Sequence, residues 1–162
     1  MDIVYDIQMA STNPLVIRRD QVSYAAARDI VDVALAKAAE LSLTVSICVT
    51  DPSGGIVLAA RMDGVQASTV NAARGKATYS GRSGRTTQDF VDTRLKGDDV
   101  LFKAVSKDPD TFLVPGGFPL LVDGLSVGGV GVSGGLYTED VVVAETAAQS
   151  FAAAIASVRT DG

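Results

Sequence analysis

Histidine and tryptophan are absent from this chain, and cysteine occurs once in 162 residues. The missing histidine removes the commonest general base near neutral pH and the commonest transition-metal ligand. Ser-His-Asp and Cys-His catalysis, histidine-bound zinc and histidine-ligated haem all fall outside what this sequence can build. With Cys48 alone, an internal disulfide is excluded too. Cys48 lies in the alternating run Thr44-Val45-Ser46-Ile47-Cys48-Val49, where a thiol reads as a small buried hydrophobe. Basic residues are outnumbered, with 14 Lys and Arg against 19 Asp and Glu for a net charge of −5. No basic stripe with interleaved aromatics stands out, so no nucleic-acid partner is expected. Apolar runs are broken by Gly, Asp or Lys before membrane-spanning length, so no membrane association is expected. The start, Met1-Asp2-Ile3-Val4-Tyr5-Asp6, is acidic without a cationic n-region, which predicts a cytoplasmic protein. With the usual zinc ligands missing, no transition metal and no cofactor are expected.

The residues present suit one folded domain: 47% are apolar and 20% charged. Residues 1–19 show no clear period and read as an N-terminal arm, leaving 20–162 as a single domain. Asp20 can cap a helix to about residue 41, with Val22, Ala26, Ile30, Val33, Ala34 and Leu41 at helical spacing. A strand over 44–50, a turn at Asp51-Pro52-Ser53-Gly54-Gly55 and a returning strand over 56–62 follow. Ser68 opens an alanine-rich helix to about residue 79. The polar segment 81–110 carries weaker signals for short helices over 87–95 and 99–106. Strands over 118–122 and 126–133 flank Asp123-Gly124, and Thr138 caps a last helix to about residue 158. Hairpins followed by helices predict one mainly antiparallel sheet with helices packed on it, an α/β sandwich.

Few motifs advertise chemistry. Arg61 and Asp63 stand two apart at a strand end, either as a structural ion pair or as an Arg that holds a carboxylate, oriented by Asp63. Lys76 sits in a small-residue helix, so its ammonium either reaches solvent along its stem or points into a pocket. The neighbouring Gly75 costs about 1 kcal/mol relative to Ala in a helix interior, which close approach of a ligand or a backbone would explain. Gly131-Val132-Ser133-Gly134-Gly135 precedes a helix without P-loop or dinucleotide spacing, and Glu139 and Asp140 already place negative charge there. It reads as a pocket wall. Pro115-Gly116-Gly117-Phe118-Pro119 is a rigid turn whose amides bind an anion or shape a corner.

Taken in order, Asp51-Pro52-Ser53-Gly54-Gly55, Arg61-Met62-Asp63-Gly64, the Lys76-Ala77 helix, Pro115-Gly116-Gly117 and the glycines of 128–135 resemble the haem-degrading-domain family over about residues 20–156. That family includes GlcG-like proteins, HbpS-like extracellular haem-binding proteins and the C-terminal domain of PduO-type cobalamin adenosyltransferases. The resemblance implies a profilin-like α/β/α layering around a five-stranded antiparallel sheet, and homo-oligomeric assembly. Some members bind haem; others sit in catabolic operons without a settled activity. This chain departs from haem-binding members in having no histidine for the iron.

Three functions are consistent with these residues. One is a small-molecule binding protein for an organic anion, with Arg61, Lys76, Pro115, Gly116, Gly117, Phe118, Ser133 and Gly134 around the ligand. The second is a cofactor-free tautomerase or isomerase acting on a carbonyl acid, with Asp63 or Lys76 as base and Arg61 holding the carboxylate. The third is a haem-binding protein without histidine ligation. The first two require Arg61, Asp63 and Lys76 to converge on one pocket beside Gly116, Gly117 and Gly134.

Overall fold

The computed structural model describes Leu15 and residues 19–160, so most of the expected arm at 1–19 lies outside the described residues. Helix α1 covers Tyr24–Glu40 and buries Ala27, Ile30, Val31, Ala34 and Ala38 along one stripe. Its cap is Ser23, whose Oγ accepts from the Ala26 amide at 3.1 Å, and not Asp20. The helix starts late because the preceding residues lie against the sheet: Val22 is buried, and its N–H donates to the Val127 carbonyl at 2.7 Å.

Strands β1 (Ser46–Thr50), β2 (Ile56–Arg61), β3 (Gly117–Val122) and β4 (Leu125–Ser133) form an antiparallel sheet in the order β2-β1-β4-β3. Asp51 holds the first turn, its Oδ1 accepting from the amides of Ser53 and Gly55 at 2.7 and 3.0 Å. Asp123 and Gly124 both take positive φ, 53° and 77°, the conformation a tight hairpin of right-twisted strands requires. The five strands implied by the resemblance are corrected here to four among the described residues. Two extended segments could have supplied another strand and do not. Residues 20–23 reach the sheet through the Val22 amide, and the backbone at Thr111 and Phe112 lies on a helix instead of a strand edge.

That helix is α2 (Ser68–Ser83), which runs a turn beyond its expected end to Gly84 in the left-handed region at φ 68°. It covers one face of the sheet. Helix α5 (Tyr137–Thr160) and α1 cover the other, over a core that includes Ile47, Val49, Val130, Val132, Val143 and Phe151. The α/β/α layering is as the resemblance implies. On the α2 face, β4 presents glycine where side chains would otherwise stand. A Cβ on Gly131 would strike the Ala73 carbonyl oxygen, and one on Gly129 the Ala77 carbonyl oxygen. Backbone therefore packs on backbone, with Cys48, Ala73 and Ala77 between the layers. Residues 137–158 are long and apolar enough to cross a membrane by length and composition. In this fold the same helix carries Val143, Ala144, Ala147 and Phe151 into the core.

Between α2 and β3 the chain forms α3 (Thr87–Phe90), a π-helical turn over Val91–Leu95 and α4 (Asp99–Val105). The closing segment is clamped to α2. Asp110 receives Arg74 at 3.4 Å and Arg82 at 3.7 Å, while Arg74 Nη2 donates to the Pro109 carbonyl at 3.2 Å. Gly75 explains itself here: a Cβ would stand 2.6 Å from the Phe112 amide nitrogen.

Cys48 is fully buried, and that burial pushes its thiol from 9.0 up to about 12, with Arg74 working weakly against it. The native protein is expected to resist alkylation at pH 8 and to label fully once unfolded. Above pH 9 the unfolded thiol ionises while the folded one keeps its proton. Stability should therefore fall by up to about 1.4 kcal/mol per pH unit between 9 and 12 from this group. Comparing Cys48→Ala with the parent by denaturant unfolding across that range isolates the slope; equal slopes would refute the assignment.

Candidate functional site

Lys76 points inward. Its side chain is 1% exposed, and Nζ donates to Asp140 Oδ2 at 2.8 Å and to the Val132 carbonyl at 2.7 Å. Asp140, in the first turn of α5, also accepts from the Gly135 amide through Oδ1 at 3.1 Å. One ion pair thus joins α2, the end of β4 and the start of α5. Burial pulls the Lys76 ammonium below its ordinary value and pushes the Asp140 carboxyl above its own, while each partner opposes the other's shift. Neither charge would persist in this setting alone.

Glycines make the path for the lysine. A Cβ on Gly116 would lie 3.0 Å from Nζ and 2.9 Å from the Asp140 Cβ; one on Gly117 would lie 2.6 Å from the Lys76 carbonyl oxygen. Gly116 and Gly117 therefore do meet Lys76, as expected, but as the walls of its burial. The Gly117 amide is directed elsewhere, donating to Thr87 Oγ1 at 3.0 Å.

Arg61 and Asp63 are placed differently. Strand β2 ends at Arg61, so the alternation that would put both residues on one face does not continue. Both are exposed, and Arg61 Nη1 donates to the Val65 carbonyl at 3.3 Å. Gly134 is near this end of the sheet, where a Cβ would meet Val65 and the Thr44 carbonyl, and Ser133 pairs with Ser46. The expected residues thus do not converge: Lys76 meets Gly116 and Gly117 inside, while Arg61, on the Val65 carbonyl, lies with Ser133 and Gly134 toward the end of β1 and β2. The glycine exit before α5 is capped by its own helix, the Leu136 amide donating to Glu139 Oε2 at 2.7 Å. Its amides at Gly135 and Leu136 already have carboxylate partners.

A cavity of about 400 Å³ opens elsewhere, among Val91, Leu95, Phe102, Val105, Ser106, Thr111, Phe112, Leu113, Val114 and Pro115. The π-helical turn supplies Val91 and Leu95, α4 and its C-cap supply Phe102, Val105 and Ser106, and the segment clamped on α2 leads into the rest, Thr111 to Pro115. Pro115 is the one expected ligand-binding residue in this lining. Phe118 lies beyond it on β3, half-buried against the core.

The fold has counterparts. The family described as haem degrading protein HbpS-like matches residues 22–149. This chain belongs to the HbpS-like family. An uncharacterized 15.0 kDa protein from the dhaT-dhaS intergenic region of Citrobacter freundii is 28% identical over 130 residues, which is 80% of this chain and 92% of that one. The crystal structure of Klebsiella pneumoniae protein ORFY superposes with a TM-score of 0.79 at 24% identity, covering 88% of this chain and 99% of the other. A crystal structure titled PduOC:heme complex superposes with a TM-score of 0.73 at 23% identity, covering 80% and 94%. At those identities the structures share the fold.

Two features of this HbpS-like chain escape sequence reading. Asp140 reads as first-turn helix charge, with nothing nearby in sequence to announce a lysine 64 residues away. The cavity residues between Val91 and Ser106 fall in the polar segment 81–110, where their apolar side chains are scattered among charged ones and gather only when the chain folds back on α2. Just after that segment, the apolar run Phe112-Leu113-Val114-Pro115 is the available signal.

The ion pair is testable by stability. Asp140→Asn leaves the Lys76 ammonium buried without its counter-charge, and Lys76→Met leaves the Asp140 carboxylate in the same position. Each should cost about 3–5 kcal/mol. The double variant buries no charge and should lose less than the sum of the two by about 2 kcal/mol or more. Additive losses in denaturant unfolding would show that the two groups do not depend on each other.

Proposed function

We propose that this HbpS-like chain is a small-molecule binding protein whose ligand occupies the cavity between the Val91–Leu95 turn, α4 and residues 111–115. The observation that carries this reading is the cavity itself. At about 400 Å³ with a largely apolar lining, it falls within the size and character of small-molecule sites. The organic-anion reading now rests on Arg61, exposed beside Val65, because Lys76 is enclosed by Asp140 and Val132. Proton transfer on a carbonyl acid would need a base at the ligand. Lys76 is held inside the fold, and Asp63 stands in an exposed turn outside the cavity lining. Binding without turnover is the reading the geometry supports best.

Haem is the group the family description and the PduOC complex bring to mind, and the residues of this cavity do not fit it. The lining holds no His, Cys, Tyr or Met to reach iron, and no Arg or Lys to meet propionates. Its two hydroxyls are engaged, Ser106 Oγ with the Lys103 carbonyl at 3.3 Å and Thr111 Oγ1 with Asp108 at 3.2 Å. Haemin titration is expected to give no stoichiometric Soret band of ligated iron, whereas a thermal-shift screen of small molecules should find stabilisers. At a ligand concentration of about 100 times Kd the stabilisation approaches about 2.7 kcal/mol. A stoichiometric Soret band, or a screen in which nothing stabilises the fold, would overturn the reading.

The same proposal includes a homo-oligomer. Leu136 (70% exposed) and Tyr137 at the start of α5 leave apolar side chains exposed that a second copy of the chain could cover. Light scattering at micromolar concentration should give a mass above one chain, and a monomer mass would remove this part of the proposal.

A further inference from the structure

Resting on the small-molecule reading, the geometry points to the chemical class of the ligand: an uncharged, largely apolar molecule with a flat ring, packed against Phe102 and Phe112. Charge complementarity is the first argument. No ionised side chain lines the cavity, and a carboxylate or ammonium brought there would lose its water without gaining a counter-ion. The acids at its border work further against an anion. Asp108 accepts from Thr111 Oγ1, and Asp110 is already engaged by Arg74 and Arg82. Lys103 and Lys107 are exposed and outside the lining.

Hydrogen bonding gives the second argument. The lining hydroxyls, on Ser106 and Thr111, both donate to groups of their own segment. Their oxygens can still accept a bond from a neutral donor, but most of the lining is apolar surface and ring faces. Phe102 is 54% exposed and Phe112 43% exposed, and neither is paired with another aromatic ring among the described residues, where Tyr79 and Phe90 form the ring contact. Aromatic rings gain from an offset or edge-on partner beyond the area they bury, so a planar ring system is the shape these two side chains favour. The third argument is local backbone. Val91 and Leu95 reach the cavity from a π-helical turn, a distortion that recurs at functional sites.

Two probes with one ring system separate the alternatives: neutral N-phenyl-1-naphthylamine, and 8-anilinonaphthalene-1-sulfonate, which adds a fixed negative charge. The neutral probe is expected to bind saturably, one per chain, at least about tenfold more tightly than the sulfonate. Val105→Asp, which brings a carboxylate into the lining, should weaken the neutral probe at least about tenfold. Phe112→Ala, a milder change, should weaken it too, with the melting temperature and circular dichroism of each variant checking the fold. Arg61→Ala should leave the neutral probe unaffected. Preference for the sulfonate, or neutral binding insensitive to both cavity variants, would overturn the inference. So would neutral binding that falls as chain concentration rises, since a second copy would then be covering the rings. If charged molecules in the thermal-shift screen stabilise the protein while neutral ones do not, small-molecule binding stands and the assigned class falls.

Discussion

A lysine and an aspartate that meet inside the protein hold the three layers in one arrangement. Lys76 reaches from α2 past the start of β3 to Asp140 on α5, which lies against the opposite face of the sheet, and the Val132 carbonyl accepts a second hydrogen bond from the ammonium. A buried pair of this kind is weak evidence for net stability, because desolvating two ions offsets most of their attraction. It nonetheless penalises every arrangement in which the two do not meet. Sliding α2 along the sheet or moving the first turn of α5 would leave one ion in the core alone. The glycines around it follow from that requirement, since Gly116, Gly117 and Gly131 each stand where a side chain would collide with Lys76 or its backbone.

The ion pair also decides where chemistry can occur. An ammonium that already faces a carboxylate in a dry interior is not free to bind a substrate anion, and its carboxylate partner is not free to take a proton from one. The cavity proposed for the ligand is lined by residues within 91–115, outside the tightly packed layers. That segment is attached to α2 by the Arg74 and Arg82 contacts to Asp110 and by the close approach of Phe112 to Gly75. The framework shared with the HbpS-like family and the residues that face a ligand are therefore separable, and fold likeness at this level of identity carries the framework alone.

The elements themselves were readable from local chemistry. Asp51 with its glycines, Asp123-Gly124, the stripe through Ile30 and Ala34 and the alternation around Ile47 each act over a few residues, and each produced the expected element. Boundaries shifted where a distant contact intervened. Ser23 rather than Asp20 caps α1 because Val22 is drawn to Val127, and β2 stops at Arg61, which separates Asp63 from it. The site was less legible. Lys76 stands out in sequence as a lysine among small residues, yet it turns neither to solvent nor to a ligand pocket but to Asp140, which is hidden in a helix start where acids are ordinary.

The absence of histidine, the single cysteine, the glycine and alanine patterning and the hairpin turns settle the class of fold and remove whole families of chemistry, since each acts through composition or through neighbours in sequence. The direction in which Lys76 points, the fate of Arg61 and the gathering of Phe102, Phe112 and Leu95 around one cavity were decided only when the layers came together. Burial, counter-charge and cavity shape are properties of residues far apart in the chain, and no local pattern encodes which of them will meet.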